Sequence, residues 1–131
     1  MLRDLRYVIL FVDDLERSVE FYRDTLALEV RHRVEGYAEL AVDGPRFALL
    51  ERWRVPELVG TGEALKPPAG AHEAEVAFLV DDVDAVYATL RAHGVDFVCA
   101  PTDRAWRQRT AYFKDPDGHL IEIAQNLPRS A

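Results

Sequence analysis

The chain is poor in the residues that cross-link, oxidise or bind soft metals. Its 131 residues include one cysteine, one methionine and four histidines. A lone Cys99 has no partner in the chain, so burial rather than cross-linking must hold the fold. It stands in the apolar run Phe97-Val98-Cys99-Ala100, which predicts a packed core thiol rather than a nucleophile. No run of about 18 apolar residues exists, so no ordinary membrane-spanning helix is expected. Behind Met1-Leu2-Arg3-Asp4-Leu5-Arg6 there is no apolar signal core, which makes a cytoplasmic setting the default expectation. Positive charge is also scarce: 16 basic against 23 acidic residues leave a net charge of -7. The basic residues gather only at Arg31-His32-Arg33 and around Arg104–Arg109, neither of which forms a stripe for nucleic acid. The acidic balance reads as solubility, with neither a nucleic acid nor a membrane as partner.

What is present is a repeat. Tyr-Val-Ile-Leu-Phe-Val-Asp-Asp opens at Tyr7, and Glu-Val-Ala-Phe-Leu-Val-Asp-Asp opens at Glu75. With Tyr7 aligned to Glu75, Val8 matches Val76, Val12 matches Val80, and Asp13-Asp14 match Asp81-Asp82. A repeat of about half the chain implies two copies of one supersecondary unit. We expect a first unit over residues 1–60, a linker over 61–72 and a second unit over 73–131. The linker follows from Gly60, Gly62, Pro67, Pro68 and Gly70, which forbid a long regular element.

Each unit reads as strand, helix, then three strands. Leu5–Val12 is apolar on both faces, which predicts a central strand. Leu15, Val19, Tyr22 and Leu26 recur at helical spacing, with Asp14 as N-cap and an end near residues 26–28. Glu29–Val34, Tyr37–Val42 and Phe47–Arg52 follow as strands. In the second unit the strands are Glu73–Val80, Val95–Cys99, Arg109–Lys114 and His119–Gln125. The helix spans Asp82–His93 and stops at Gly94, where a left-handed residue is needed. One helix can cover only one face of each sheet.

Alternation along the strands predicts what the uncovered face carries. Val76, Phe78 and Val80 face the helix, leaving Glu75 on the other side. Ile121 and Ile123 likewise oppose Glu122. The same count puts Tyr7 and Phe11 opposite Val8, Leu10 and Val12. Tyr7, Glu75 and Glu122 are therefore expected to point into one hollow. Two nearby carboxylates raise each other's proton affinity, giving an acid–base member near neutral pH, or they hold a hard cation. Among the histidines, His32 is the candidate for lining that hollow, while His72, His93 and His119 are placed outside it.

Three segments carry a family resemblance. They are Val12-Asp-Asp-Leu-Glu-Arg-Ser18 with Phe21-Tyr22, Ala77-Phe-Leu-Val-Asp-Asp-Val-Asp-Ala85, and Asp115-Pro-Asp-Gly-His-Leu-Ile-Glu-Ile123. The chain resembles the vicinal oxygen chelate superfamily, which includes glyoxalase I, extradiol dioxygenases, fosfomycin-modifying enzymes and bleomycin-binding proteins. The resemblance implies an α+β fold of tandem βαβββ units forming a curved barrel-like cup, and a homodimer. It makes Glu122 the match to the family's final-strand glutamate ligand. The positions matching Tyr7 and Glu75 are typically histidines in metal-dependent members. A possible divalent metal ion would thus draw on Glu122, Glu75, Tyr7 and Glu51, a set without imidazole. Phe11, Trp53, Trp106, Tyr112 and Arg109 join Tyr7 as expected ligand-binding residues. The reading that follows is a binder of a small organic molecule lacking the usual metal site. The alternatives are a metal-dependent lyase, isomerase or dioxygenase with Glu122 and Glu75 as catalytic groups, or a non-catalytic homodimeric module.

Overall fold

A computed structural model describes residues 1, 3, 5–59 and 74–129, so the expected linker and His72 lie outside the described residues. The chain falls into two compact units, Met1–Ala69 and Gly70–Ala131.

The first unit contains β1 (Tyr7–Val12), α1 (Leu15–Glu20), β2 (Val30–Val34), β3 (Tyr37–Leu40), β4 (Arg46–Glu51) and a short α2 (Val55–Val59). Its sheet runs β1-β4-β3-β2, with β1 parallel to β4 and the other neighbours antiparallel. This order corrects one expectation: β1 is an edge strand of its sheet, not a central one. Its apolar composition has another cause. Val8, Leu10 and Val12 lie on the helix side, with Val12 fully buried, while Tyr7 and Ile9 on the other side stay 49% and 41% exposed.

The Asp14 carboxylate accepts from the Arg17 amide at 3.2 Å and starts α1. The winding then widens into a π-helical turn over Phe21–Thr25, where the Leu26 amide donates to the Phe21 carbonyl at 3.0 Å. Ala27 follows in the left-handed region (φ 61°) and ends the run. The fully buried Tyr22 ring meets Phe47 edge-on at 5.3 Å between centroids. This pair ties the helix to β4 and identifies Phe47, Leu49 and Glu51 as the helix-side set. Arg46, Ala48 and Leu50 occupy the uncovered face.

The second unit repeats the plan with β5 (Glu75–Leu79), α3 (Val83–Ala92), β6 (Phe97–Arg104), β7 (Gln108–Lys114) and β8 (Leu120–Asn126). The sheet order is β5-β8-β7-β6, again with the first and last strands parallel. Asp82 caps α3 by accepting from the Ala85 amide at 3.1 Å, repeating the role of Asp14. The Gln125 side chain accepts from the Val83 amide at 2.9 Å and so joins β8 to the same helix start. Gly94 takes the left-handed conformation (φ 87°) that closes the helix. Tyr87 of α3, Phe97 and Phe113 stack in series at 4.5 and 5.2 Å, forming the helix-side core. β6 extends beyond the expected Cys99 and runs through Pro101 to Arg104. Its place at the sheet edge and a register shift between Cys99 and Thr102 let it carry a residue without an amide donor.

Candidate functional site

The polar centre of the second unit lies on the face that α3 does not cover. In the β5–β8 register, Glu75 pairs with Leu120 and Ala77 with Glu122, which puts the two acids on one face as diagonal neighbours. Tyr112 of β7 lies directly opposite Glu122. Ala77 and Ala124, beside Glu122, add little side-chain bulk to this face. Glu122 is only 8% exposed, whereas Glu75 is open to solvent.

Burial raises the proton affinity of Glu122 above the ordinary carboxylate range, and the Glu75 charge and a hydrogen bond with Glu75 raise it further. Two opposing influences are the hydrogen bond with Tyr112 and the charge of Arg104. Burial, then the charges of Glu122 and Glu75, raise the Tyr112 phenol in turn. The consequence is a carboxyl pair that favours holding one proton, with a phenol fixed beside it.

Arg104 supports this arrangement from β6. Its Nε donates to Thr110 Oγ1 at 2.9 Å, and its guanidinium carbon lies 5.9 Å from the centroid of the Tyr112 ring. Its second guanidine nitrogen contacts Cys99 Sγ at 3.5 Å. Cys99 is half-buried rather than a sealed core thiol, because it shares the uncovered face with Tyr112. Arg104 was not among the sequence candidates. Its signal was its position at the end of an extended strand, and the shorter strand expected there hid it.

The remaining candidates separate. Arg109 belongs to the helix side: it is an odd number of positions from Tyr112, and its guanidinium donates to Asp84 of α3 and to Asp103, each at 3.0 Å. It therefore does not share a face with Tyr112, Glu75 and Glu122. Glu51 is likewise on the helix side of β4, in a groove of about 420 Å³ with Asp14, Glu16 and Arg33. It does not share a face with Tyr7. Trp106 is 61% exposed in the β6–β7 turn, its indole donating to Gln108 Oε1 at 3.1 Å. Trp53 is 52% exposed and packs near Gly36. Phe11 is half-buried on the uncovered side of β1.

Tyr7, the counterpart of Glu75, lies on the uncovered face of the first unit with Arg46 Cζ 6.0 Å from its ring centroid. Comparing registers, Ile9 pairs with Ala48 where Ala77 pairs with Glu122, so Ala48 is the counterpart of Glu122. Glu39, opposite Ala48, is the counterpart of Tyr112. Glu39 is buried and was missed by sequence reasoning, although its even spacing from Tyr37 placed it on this face.

These substitutions bear on a metal. Among the described residues, no three histidine, cysteine, aspartate or glutamate side chains are grouped to hold an ion. Glu75 and Glu122 offer two carboxylates in the second unit, while Tyr7 and Ala48 stand at the corresponding places in the first. Among the described residues, neither unit by itself groups the three or more protein ligands that a zinc centre takes.

The Glyoxalase/Bleomycin resistance protein/Dioxygenase superfamily matches residues 4–123. The chain is 37% identical over 129 residues to Uncharacterized protein YraH of Bacillus subtilis, covering 94% of this chain and 98% of the relative. It is 28% identical to a Probable lactoylglutathione lyase of Vibrio cholerae, covering 92% and 88% of the two chains. Among solved structures, a glyoxalase/bleomycin resistance protein/dioxygenase from Nocardioides superposes with a TM-score of 0.84 at 29% identity, covering 99% of this chain and 87% of that one.

Proposed function

The chain belongs to the Glyoxalase/Bleomycin resistance protein/Dioxygenase superfamily, and on that premise we propose that it binds a small oxygen-bearing organic molecule on the uncovered face of its second sheet. In this reading a proton shared by Glu122 and Glu75 stands where metal-dependent relatives would use an ion. The observation that carries the reading is the pairing of a buried and an exposed carboxylate beside a phenol, with Glu122 held above its ordinary proton affinity. On binding, the Glu122 proton turns from Glu75 to a ligand carbonyl or hydroxyl oxygen, and the freed Glu75 oxygen accepts from a ligand hydroxyl. Ala77 and Ala124 allow close approach, and Tyr112 supplies an aromatic wall and a hydroxyl.

The same pair supports a second reading as an acid–base enzyme of the lyase or isomerase type. Glu75 would take a proton from carbon beside a carbonyl while Glu122 protonates the developing oxyanion. The raised proton affinity of Glu122 favours this reading, because it keeps the donor protonated nearer neutral pH. We also propose a homodimer, following the family resemblance, and a cytoplasmic setting. Among the described residues no helix is long and apolar enough to cross a membrane.

Ligand-observed NMR against a panel of small ketones and phenols, run in excess chelator, tests the first reading. Binding is expected to survive the chelator and to weaken as pH rises through the Glu122 transition. In Glu122→Gln the amide keeps a donor, so that pH dependence should disappear. Binding lost in chelator and restored by a divalent ion would overturn the reading. Running the same panel in deuterium oxide separates the two readings, since catalysis would exchange the carbon-bound proton beside the carbonyl and simple binding would not.

A further inference from the structure

The uncovered face of the first unit carries a second polar cluster, opposite in sign and unused by the reading above. At its centre is Glu39, whose side chain is 4% exposed. Its Oε1 accepts from the Tyr37 hydroxyl at 3.4 Å. Its Oε2 accepts from Arg46 at 3.0 Å and from Arg31 at 3.5 Å. Two guanidiniums thus share one carboxylate, and the cluster keeps one positive charge in excess. That excess faces water: the Arg46 and Arg31 side chains are 54% and 41% exposed. A register shift in β2 between Val30 and His32 lets Arg31 reach Glu39 although His32 is its paired residue.

The surroundings suit a planar ligand. Ala48, opposite Glu39, adds only a methyl group between Arg46 and Leu50. The Tyr7 ring lies under the Arg46 guanidinium at 6.0 Å, and the Tyr37 ring has His32 at 6.3 Å. Arg46 has five N–H donors, of which Glu39 takes one among the described residues. A guanidinium fork matches a carboxylate in two-point geometry, and phenol rings favour an aromatic body beside it.

We propose that this face binds an aromatic carboxylate, with Arg46 as the anion anchor, Arg31 as a second cation and Glu39 as an internal competitor for both. Because Glu39 competes with the ligand, the site has an opposite-sign test that loss of folding cannot imitate. Arg46→Gln removes the anchor and should weaken binding. Glu39→Gln removes the competitor and should strengthen it.

The probe is benzoate, titrated into the full chain and followed by backbone and arginine side-chain NMR, with neutral benzamide as control. Wild type should saturate with benzoate, with shifts centred on Arg46 and Ala48, and should ignore benzamide. Arg46→Gln should weaken benzoate about tenfold, the scale of one charge-assisted contact. Arg46→Lys keeps the charge but loses the fork, and should fall between wild type and Arg46→Gln. Glu39→Gln, with its folding verified by amide dispersion, should bind roughly threefold tighter or better, as expected when a competing charge is removed. Absence of benzoate binding, equal binding of benzamide, or unchanged affinity in folded Glu39→Gln would each overturn the proposal. Should Glu39→Gln fail to fold, equal affinity in wild type and Arg46→Lys would overturn it.

Discussion

Replacing Glu122 by glutamine should make the protein more stable at neutral pH but not in acid. The reason lies in proton linkage. The folded state holds the Glu122 proton more tightly than the unfolded chain, because burial and Glu75 both disfavour the ionised form. A carboxyl whose proton affinity rises on folding contributes stability in acid, and that contribution is lost as pH climbs through its raised transition. Above that transition the fold must carry two carboxylates on diagonal positions of neighbouring strands, roughly 7 Å apart. At an effective dielectric of about 20–40, that repulsion is about 1–2 kcal/mol. The exposure of Glu75 favours the lower end, so the expected gain in Glu122→Gln is about 1 kcal/mol at pH 8. At pH 4 the wild-type carboxyl is protonated and close to an amide in shape and charge, so the two proteins should be nearly equal. Urea denaturation of both proteins from pH 4 to 8 measures the difference directly, and other carboxylates cancel in the comparison. A difference that is flat with pH, or a glutamine variant less stable at pH 8, would refute the shared-proton argument.

Arg109→Ala should lose only a little stability, because its partners Asp84 and Asp103 are themselves largely exposed, and the loss should shrink in high salt. The same variant should retain every ligand found for the wild type in the NMR panel, since Arg109 is on the helix side. Asp82→Ala removes the N-cap of α3 and should destabilise the protein by about 1 kcal/mol, read from its urea midpoint. Ala27→Gly should do the reverse: the residue is left-handed at φ 61°, and relieving it should add about 0.5–1 kcal/mol.

Much of the fold was legible because its signals are local. The repeated Val-Asp-Asp segments encode a strand, an N-cap and a helix start, and Asp14 and Asp82 indeed cap α1 and α3. Gly94 announced its own left-handed turn. The shared face of Glu75 and Glu122 also followed from alternation, which needs only a correct strand and a correct count. The same count, applied from Tyr112, would have put Arg109 on the helix side. Glu39 was readable by parity from Tyr37 but not its burial, which depends on partners brought from β2 and β4.

The sequence by itself therefore determined the duplicated βαβββ order, the helix caps and the face assigned to the acids of β5 and β8. These follow from dihedral preferences and side-chain period, which act over a few residues. Tertiary structure alone decided that β1 is an edge strand, that Arg104 reaches Thr110, and that two arginines converge on Glu39. It also moved Cys99 and Arg104 into one strand and set Tyr112 opposite Glu122. Those outcomes depend on strand pairing and register shifts between segments distant in the chain, and no local pattern specifies which strand becomes a neighbour.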